Sequence, residues 1–308
     1  MGRRLYHICF TSHNEVLCRS YKDYCMMFNC IAQAVFKTGS SLLAHAIMST
    51  HVHMIAVCAD PSNLVMRIRT SYTQMFNHRY KRKGALGDKA FFCSKLEGRR
   101  HIAAAISYVI RNPYHHEVCA NLYSYPFSSV NQYFKNKIQS FSPVTEAVFR
   151  RKKSDIIRIK NHLPDDVDVL RSTGMISYDD VVDSVLVEGY FGSYRAFLFG
   201  LNRNDYERWM REQEEDDDGL PPVTLGTVEA FLPDSEVQLI LKQNQHWVNE
   251  KRVSDIELCD IIDHQCVPRY GKVSYVQLFH SEVDDVRQSL ADALRVSQGQ
   301  LERCLPYS

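Results

Sequence analysis

The stretch Leu43-Leu-Ala-His-Ala-Ile-Met-Ser-Thr-His-Val-His-Met-Ile-Ala-Val57 decides how the chain is read. Two short apolar runs flank the small pair Ser49-Thr50, which predicts strand, tight turn, strand. Side chains alternate faces along a strand, so His51 and His53 point the same way. Two imidazoles side by side on one rigid face can bind a metal ion, or hold a phosphate when charged. Taken alone, the pair reads equally as two partly exposed strand histidines.

Upstream, Leu5 to Phe10 forms a first strand. Ser20 to Lys37 is a helix, with Tyr24, Met27, Phe28, Ile31, Ala34 and Val35 at helical spacing and Gly39 as its stop. Downstream, Asp60-Pro61-Ser62 opens a second helix whose buried stripe is Leu64, Ile68, Tyr72, Met75 and Phe76. Its far end is basic, with Arg79, Lys81, Arg82 and Lys83 beside Tyr80. The helix dipole favours cations there and accounts for part of the cluster. Interleaving with Arg67, Arg69, Tyr72 and Tyr80 also suits a groove for single-stranded nucleic acid, in which cations track phosphates and rings stack on bases. Phe91 to Leu96 is an edge strand bearing Lys95, which could contact phosphate.

His101 to Asn112 is a third helix, ending at Pro113. Tyr108 and Asn112 are four apart and share a helical face. A phenol and a carboxamide so placed can present a nucleophile and an oxygen ligand to one point. A lone helical tyrosine is more often a packing residue, and it is the combination with the paired histidines that favours the functional reading. His115-His116, in a loop after this helix, read as incidental unless they face the site, and for His7, on the first strand, partial burial explains the residue as well as function does.

The bulk numbers set bounds. A chain of 308 residues, 45% apolar and 24% charged, is long enough for one large domain or two ordinary ones. No stretch approaches the apolar length of a membrane span. The beginning, Met-Gly-Arg-Arg-Leu-Tyr-His-Ile, lacks an apolar signal core, so a cytoplasmic, nucleoid-associated protein is expected. The ten cysteines contain no C-x-x-C pair and read as free thiols. The net charge of +1 hides an asymmetry. Residues 1–160 carry 24 Lys+Arg against 8 Asp+Glu, and the remainder 13 against 28. The front half is built to meet a polyanion and the back half is not.

The order of features then forms a pattern: a strand-borne His-x-His, a basic helix, the string Tyr108-Val-Ile-Arg-Asn112-Pro113, and Tyr125-Pro126-Phe127-Ser128-Ser129. Over about residues 1–135 this resembles the single-tyrosine HUH transposases, and within them the REP-associated tyrosine transposases. In the family, Pro-Asn usually precedes the first histidine. Here Ser49-Thr50 stands there, a change in the turn and not in the ligands.

The resemblance implies an α+β domain, an antiparallel sheet with helices on one face similar to the RNA-recognition (ferredoxin-like) fold. It implies Tyr108 as nucleophile, with His51, His53 and Asn112 as ligands of a divalent ion, Mg²⁺ or Mn²⁺. The partner implied is single-stranded or hairpin DNA, contacted by Arg67, Arg69, Arg79, Lys81, Arg82, Lys83 and Lys95. The chemistry implied is cleavage and rejoining through a 5′-phosphotyrosine. Phosphodiester transfer needs a nucleophile, charge neutralisation and in-line geometry. A free phenol, with a pKa of about 10, is a poor nucleophile unaided. Two rival readings are a non-catalytic DNA-binding protein on the same scaffold and a metal-dependent phosphodiesterase using water. Monomer and homodimer are both open.

From residue 140 the texture changes, so residues 1–139 and 140–308 are expected to be separate parts, the second mostly helical. Arg150 to Ile159 suggests a linker helix. Ile176 to Glu188 and Tyr190 to Leu201 suggest two more helices. Glu212 to Asp218, Gly219 and Pro221-Pro222 suggest a solvated linker. Residues 282–305 form a helix-turn-helix-like string, weakly similar to replication-initiator C-terminal helices.

Overall fold

A computed structural model describes residues 2–12, 15–87, 89–116, 118–138, 163–164, 166–170, 172–202, 253–294 and 296–307. The front half runs β1 (Arg4–Thr11), α1 (Tyr21–Thr38), β2 (Ser41–Ile47), β3 (His51–Cys58), α2 (Pro61–Tyr80), β4 (Phe92–Lys95) and α3 (Arg99–His115). The strands form one antiparallel sheet in the order β2-β3-β1-β4, the ferredoxin-like arrangement. The hairpin expected around Ser49-Thr50 is therefore present, and it places β3 at the centre of the sheet.

Local chemistry explains the helix ends. Ser20 and Asp23 form a reciprocal capping box at the start of α1. Gly39, at φ 61°, closes that helix in the left-handed conformation that glycine takes most cheaply. Asp60 caps α2, with Pro61 at its first position.

The ladder register sorts the side chains by face. His51 lies opposite Thr11 and His53 opposite Cys9. His7, Cys9, Thr11, His51 and His53 thus share one face. Ile8, Phe10, Val52 and Met54 line the other, together with His45, whose ring meets Phe28 of α1 at 4.9 Å. α1 and α2 pack against each other on the Phe28 side, and α3 lies over the histidine face, against β2 and β3. The expected helices on one face are the α1–α2 layer. The third helix covers the face that an RNA-recognition fold leaves open.

β2 ends the sheet but is not a bare edge. Ile47 N–H donates to Phe127 O, and Tyr125 and Tyr133 hydroxyls donate to Ile47 O and Leu43 O. Ser129 Oγ accepts from His45 N–H and donates to His45 O. The Tyr125-Pro126-Phe127-Ser128-Ser129 string therefore works as a clamp that satisfies edge backbone groups largely through side chains.

Beyond it come the short turn α4 (Lys135–Ile138), then α5 (Ser184–Phe191) and α6 (Tyr194–Leu201), which both pack on α3. Ile176 to Glu188 is not one helix: a 3₁₀ turn at Tyr178–Asp180 precedes α5, whose cap is Asp183. The C-terminal elements are α7 (Asp255–Ile261), α8 (His280–Leu294) and α9 (Gln298–Cys304). The last two are the expected helix pair. Arg150 to Ile159 and the acidic run at 212–222 lie outside the described residues. Among the described residues no helix is long and apolar enough to cross a membrane.

The C-terminal helices dock on the front half. Buried Arg19, just before α1, donates to both carboxylate oxygens of Asp263, at 2.7 and 3.0 Å, and stacks 3.8 Å over the Tyr275 ring. Val16 N–H donates to Arg303 O, and Ser274 Oγ donates to Tyr80 O.

Candidate active site

The site lies between the histidine face of the sheet and α3. His51 and His53 are next-but-one on β3, and Tyr108 and Asn112 are one turn apart on α3, so each pair presents itself to the other. His51 Nε2 and Asn112 Oδ1 stand 3.0 Å apart. The Tyr108 ring sits 5.7 Å from that of His53 and 5.8 Å from that of His7. All four residues singled out in the sequence meet in one place. All four are buried, Tyr108 being 5% exposed and Asn112 fully enclosed.

α3 does not stop at Pro113. It continues to His115, and His116 N–H closes the end on Asn112 O. Proline lacks an N–H and usually ends a helix, but in the last turn it removes only one bond. That extra turn brings both following histidines in. The His115 ring lies 6.1 Å from Tyr108 in a stacked orientation, and the His116 ring 4.8 Å from His51. His7 reaches the site from β1, its Nε2 3.3 Å from His53 Nδ1, and Cys9 Sγ is 3.6 Å from His53 Nε2. The sequence marks none of these as site residues. For His7 and Cys9 the only available signal is alternation with His53 across a ladder of unknown register.

Burial holds His53 well below the ordinary imidazole range, reinforced by His51, His7 and His116. A neutral ring is the form that ligates a metal. In the tautomer that satisfies the Asn112 carbonyl oxygen, His51 Nε2 carries the proton and donates to it at 3.0 Å, and Nδ1 accepts from the Thr50 hydroxyl at 3.0 Å. The Thr50 hydroxyl can equally accept, which frees Nε2 as a ligand.

The donor set suits a hard divalent ion at His51 and Asn112. Neighbouring ligands about 2.1 Å from an octahedral ion stand about 3 Å apart, the separation found here. His53 is the adjacent imidazole, 5.0 Å from His51 between ring centres, with its nitrogens turned to His7 and Cys9. Among the described residues, no three His, Cys, Asp or Glu side chains are grouped to hold a metal ion.

The basic candidates divide. Arg82 pairs with Glu15 and also donates to Asn77, and Arg79 lies 3.4 Å from Asp23 Oδ1. These two arginines help hold the loop before α1 to the end of α2. Lys95 pairs with Glu97, and Arg67 donates to Asn63. Lys81 and Lys83 are exposed. Arg69 donates to Ala90 O, and its guanidinium lies against Gly87, which also abuts the Thr11 and Ser12 backbone beside His51. Tyr72 and Tyr80 are buried, with hydroxyls bonded to Leu17 O and Asp23. They are core rings, and the expected stacking platform for bases is not formed by them. In α9, Gln300 and Arg303 are both bonded to Asp255.

No protein-family model matches the chain, and no curated protein matches it. Among solved structures, part of the chain is similar to "the REP associates tyrosine transposase bound to a REP hairpin". The two share 14% identity over 49% of this chain and 90% of that one, with a TM-score of 0.38.

Proposed function

We propose that this chain cleaves and rejoins single-stranded DNA, with Tyr108 as the nucleophile and hairpin-forming repeats as the substrate. The observation that carries the reading is the meeting of Tyr108, His51, His53 and Asn112 between the β3 face and α3. A packing tyrosine has no need of two imidazoles and a carboxamide at the same point. In the reaction, the Tyr108 Oη–phosphorus bond forms as the phosphorus–O3′ bond breaks. The phenol loses its proton and the departing 3′-oxygen gains one. The product is a 5′-phosphotyrosine beside a free 3′-hydroxyl, and attack by another 3′-hydroxyl reverses the step with no external energy source.

His51 and Asn112 would hold Mg²⁺ or Mn²⁺, with His53 completing the set when its ring turns from His7 and Cys9 toward them. When bound, the ion supplies charge neutralisation at the phosphate oxygens. The protein's own part is to fix Tyr108 on a rigid helix against that point and to exclude water from it. Arg69, whose guanidinium lies near Gly87 beside the Thr11 backbone, and the exposed Lys81 and Lys83 would contact the strand.

One observation favours the binding-module alternative: the site is closed, with His51 and Asn112 bonded to each other. The test is incubation of wild type and Tyr108→Phe with labelled hairpin DNA and Mn²⁺, followed by denaturing electrophoresis. A covalent adduct with wild type alone supports cleavage. No adduct, with equal DNA binding by both proteins, supports a binding module. Cleavage that survives in Tyr108→Phe supports hydrolysis by water.

A further inference from the structure

We propose that Asp255 is a positioning residue for this site, acting from the C-terminal helices through the β2–β3 turn. The inference rests on the DNA-cleavage reading for its link to catalysis. Asp255 opens α7, where the helix dipole favours a carboxylate. Its two oxygens are fully engaged. Arg303 grips them as a fork, Nε to Oδ2 at 2.9 Å and Nη2 to Oδ1 at 2.9 Å, and Gln300 adds a bond to Oδ1 at 3.1 Å. Such charge-assisted forks are the strong and directional class of hydrogen bond. The remaining bond crosses to the front half, where Ser49 Oγ donates to Asp255 Oδ2 at 2.7 Å.

Ser49 is the first residue of the turn that delivers His51. Its carbonyl accepts from Leu17 and Cys18 N–H, at 2.6 and 3.1 Å. The next carbonyl, Thr50 O, accepts from Ser12 N–H and Thr11 Oγ1. The Thr50 hydroxyl then meets His51 Nδ1, and His51 Nε2 meets Asn112. A continuous path therefore runs from Arg303 through Asp255, Ser49 and Thr50 to the imidazole. A helix first-turn carboxylate serving only its own helix would not need a partner two hundred residues away. Outer-shell partners of this kind orient a metal-ligating histidine and set which ring nitrogen carries the proton. The C-terminal helices are thereby part of the site, although they contribute no residue to it.

The test uses the full chain with Ser49→Ala, Asp255→Asn and the hydroxyl-retaining Ser49→Thr. Two signals are read: the ¹⁵N resonances of the His51 ring, assigned with His51→Gln, and the Mn²⁺ concentration giving half-maximal adduct formation. Ser49→Ala and Asp255→Asn are expected to move the His51 ring signals. They should raise the Mn²⁺ half-point by about tenfold, the lower end for outer-shell changes. The KM for DNA should stay at its wild-type value, and Ser49→Thr should restore both signals. Unmoved His51 signals and an unchanged half-point in Ser49→Ala and Asp255→Asn overturn the proposal, even if both variants melt at lower temperature, because Asp255 would then be glue between helices alone. If wild type forms no adduct, the cleavage reading is lost. The His51 ring signals, recorded in the metal-free protein and in diamagnetic Mg²⁺, still decide whether Asp255 orients the ring.

Discussion

His51 Nε2 and Asn112 Oδ1 lie 3.0 Å apart across 61 residues of sequence, one on the central strand and the other on the helix that covers it. That hydrogen bond joins the two halves of the candidate site. It exists because β3 pairs with β1 in a register that turns His51 and His53 toward α3.

Asn112→Leu removes the carboxamide and keeps a similar volume. A buried imidazole N–H is left without its acceptor, a loss of about 1–3 kcal/mol. Thermal unfolding should show that drop, and Mn²⁺-dependent adduct formation should disappear. An unchanged Mn²⁺ requirement would remove Asn112 from the ligand set.

His45 supplies a pH test on the opposite face. It is fully buried, neither ring nitrogen has a hydrogen-bond partner among the described residues, and burial lowers its pKa to about 3. Below its ordinary value of 6.5 the unfolded chain binds a proton that the folded chain refuses. Stability is therefore complete above pH 6.5 and falls as pH drops toward 3, by about 1.4 kcal/mol per unit from this residue. His45→Leu should flatten that part of the pH profile and stabilise the protein at pH 5. Equal slopes in wild type and variant would contradict it.

Arg19 tests the docking of the C-terminal helices. Its guanidinium is 1% exposed and bonded to Asp263. Replacing one partner of such a pair leaves the other without compensation, so Arg19→Met should cost about 3 kcal/mol. Chemical denaturation gives the value, and limited proteolysis should release residues beyond 253 first.

The basic residues should separate by salt dependence. Removing one phosphate-binding cation makes the plot of log Kd against log salt shallower by about 0.7 for single strands. Lys81→Ala and Lys83→Ala should each do this with little effect on melting. Arg82→Ala should chiefly lower stability, because Glu15, its pKa already raised by burial, is deprived of its ion pair.

Much of this fold was legible because the relevant periods are short. The apolar runs on either side of Ser49-Thr50 marked the hairpin, the apolar spacing from Tyr24 to Val35 with Gly39 as its stop marked one helix, and Asp60-Pro61-Ser62 marked the start of another. Tyr108 and Asn112 were legible as a one-turn pair. What failed needed tertiary information. Pro113 marked a helix end by the usual rule, yet the helix continued a further turn and carried His115 toward Tyr108. Tyr72 belonged to both a buried stripe and a basic, ring-bearing surface, and only packing decided for the core. His7 and Cys9 entered through strand register, and Asp255 through the docking of a helix two hundred residues downstream of the turn it holds.

The most direct test of the central claim is mass spectrometry of the protein after reaction with hairpin DNA and Mn²⁺, nuclease trimming and proteolysis. The account predicts one modified peptide, carrying a nucleotide linked through its 5′-phosphate to Tyr108. A nucleotide on any other residue, or cleaved DNA with every peptide unmodified, would contradict it.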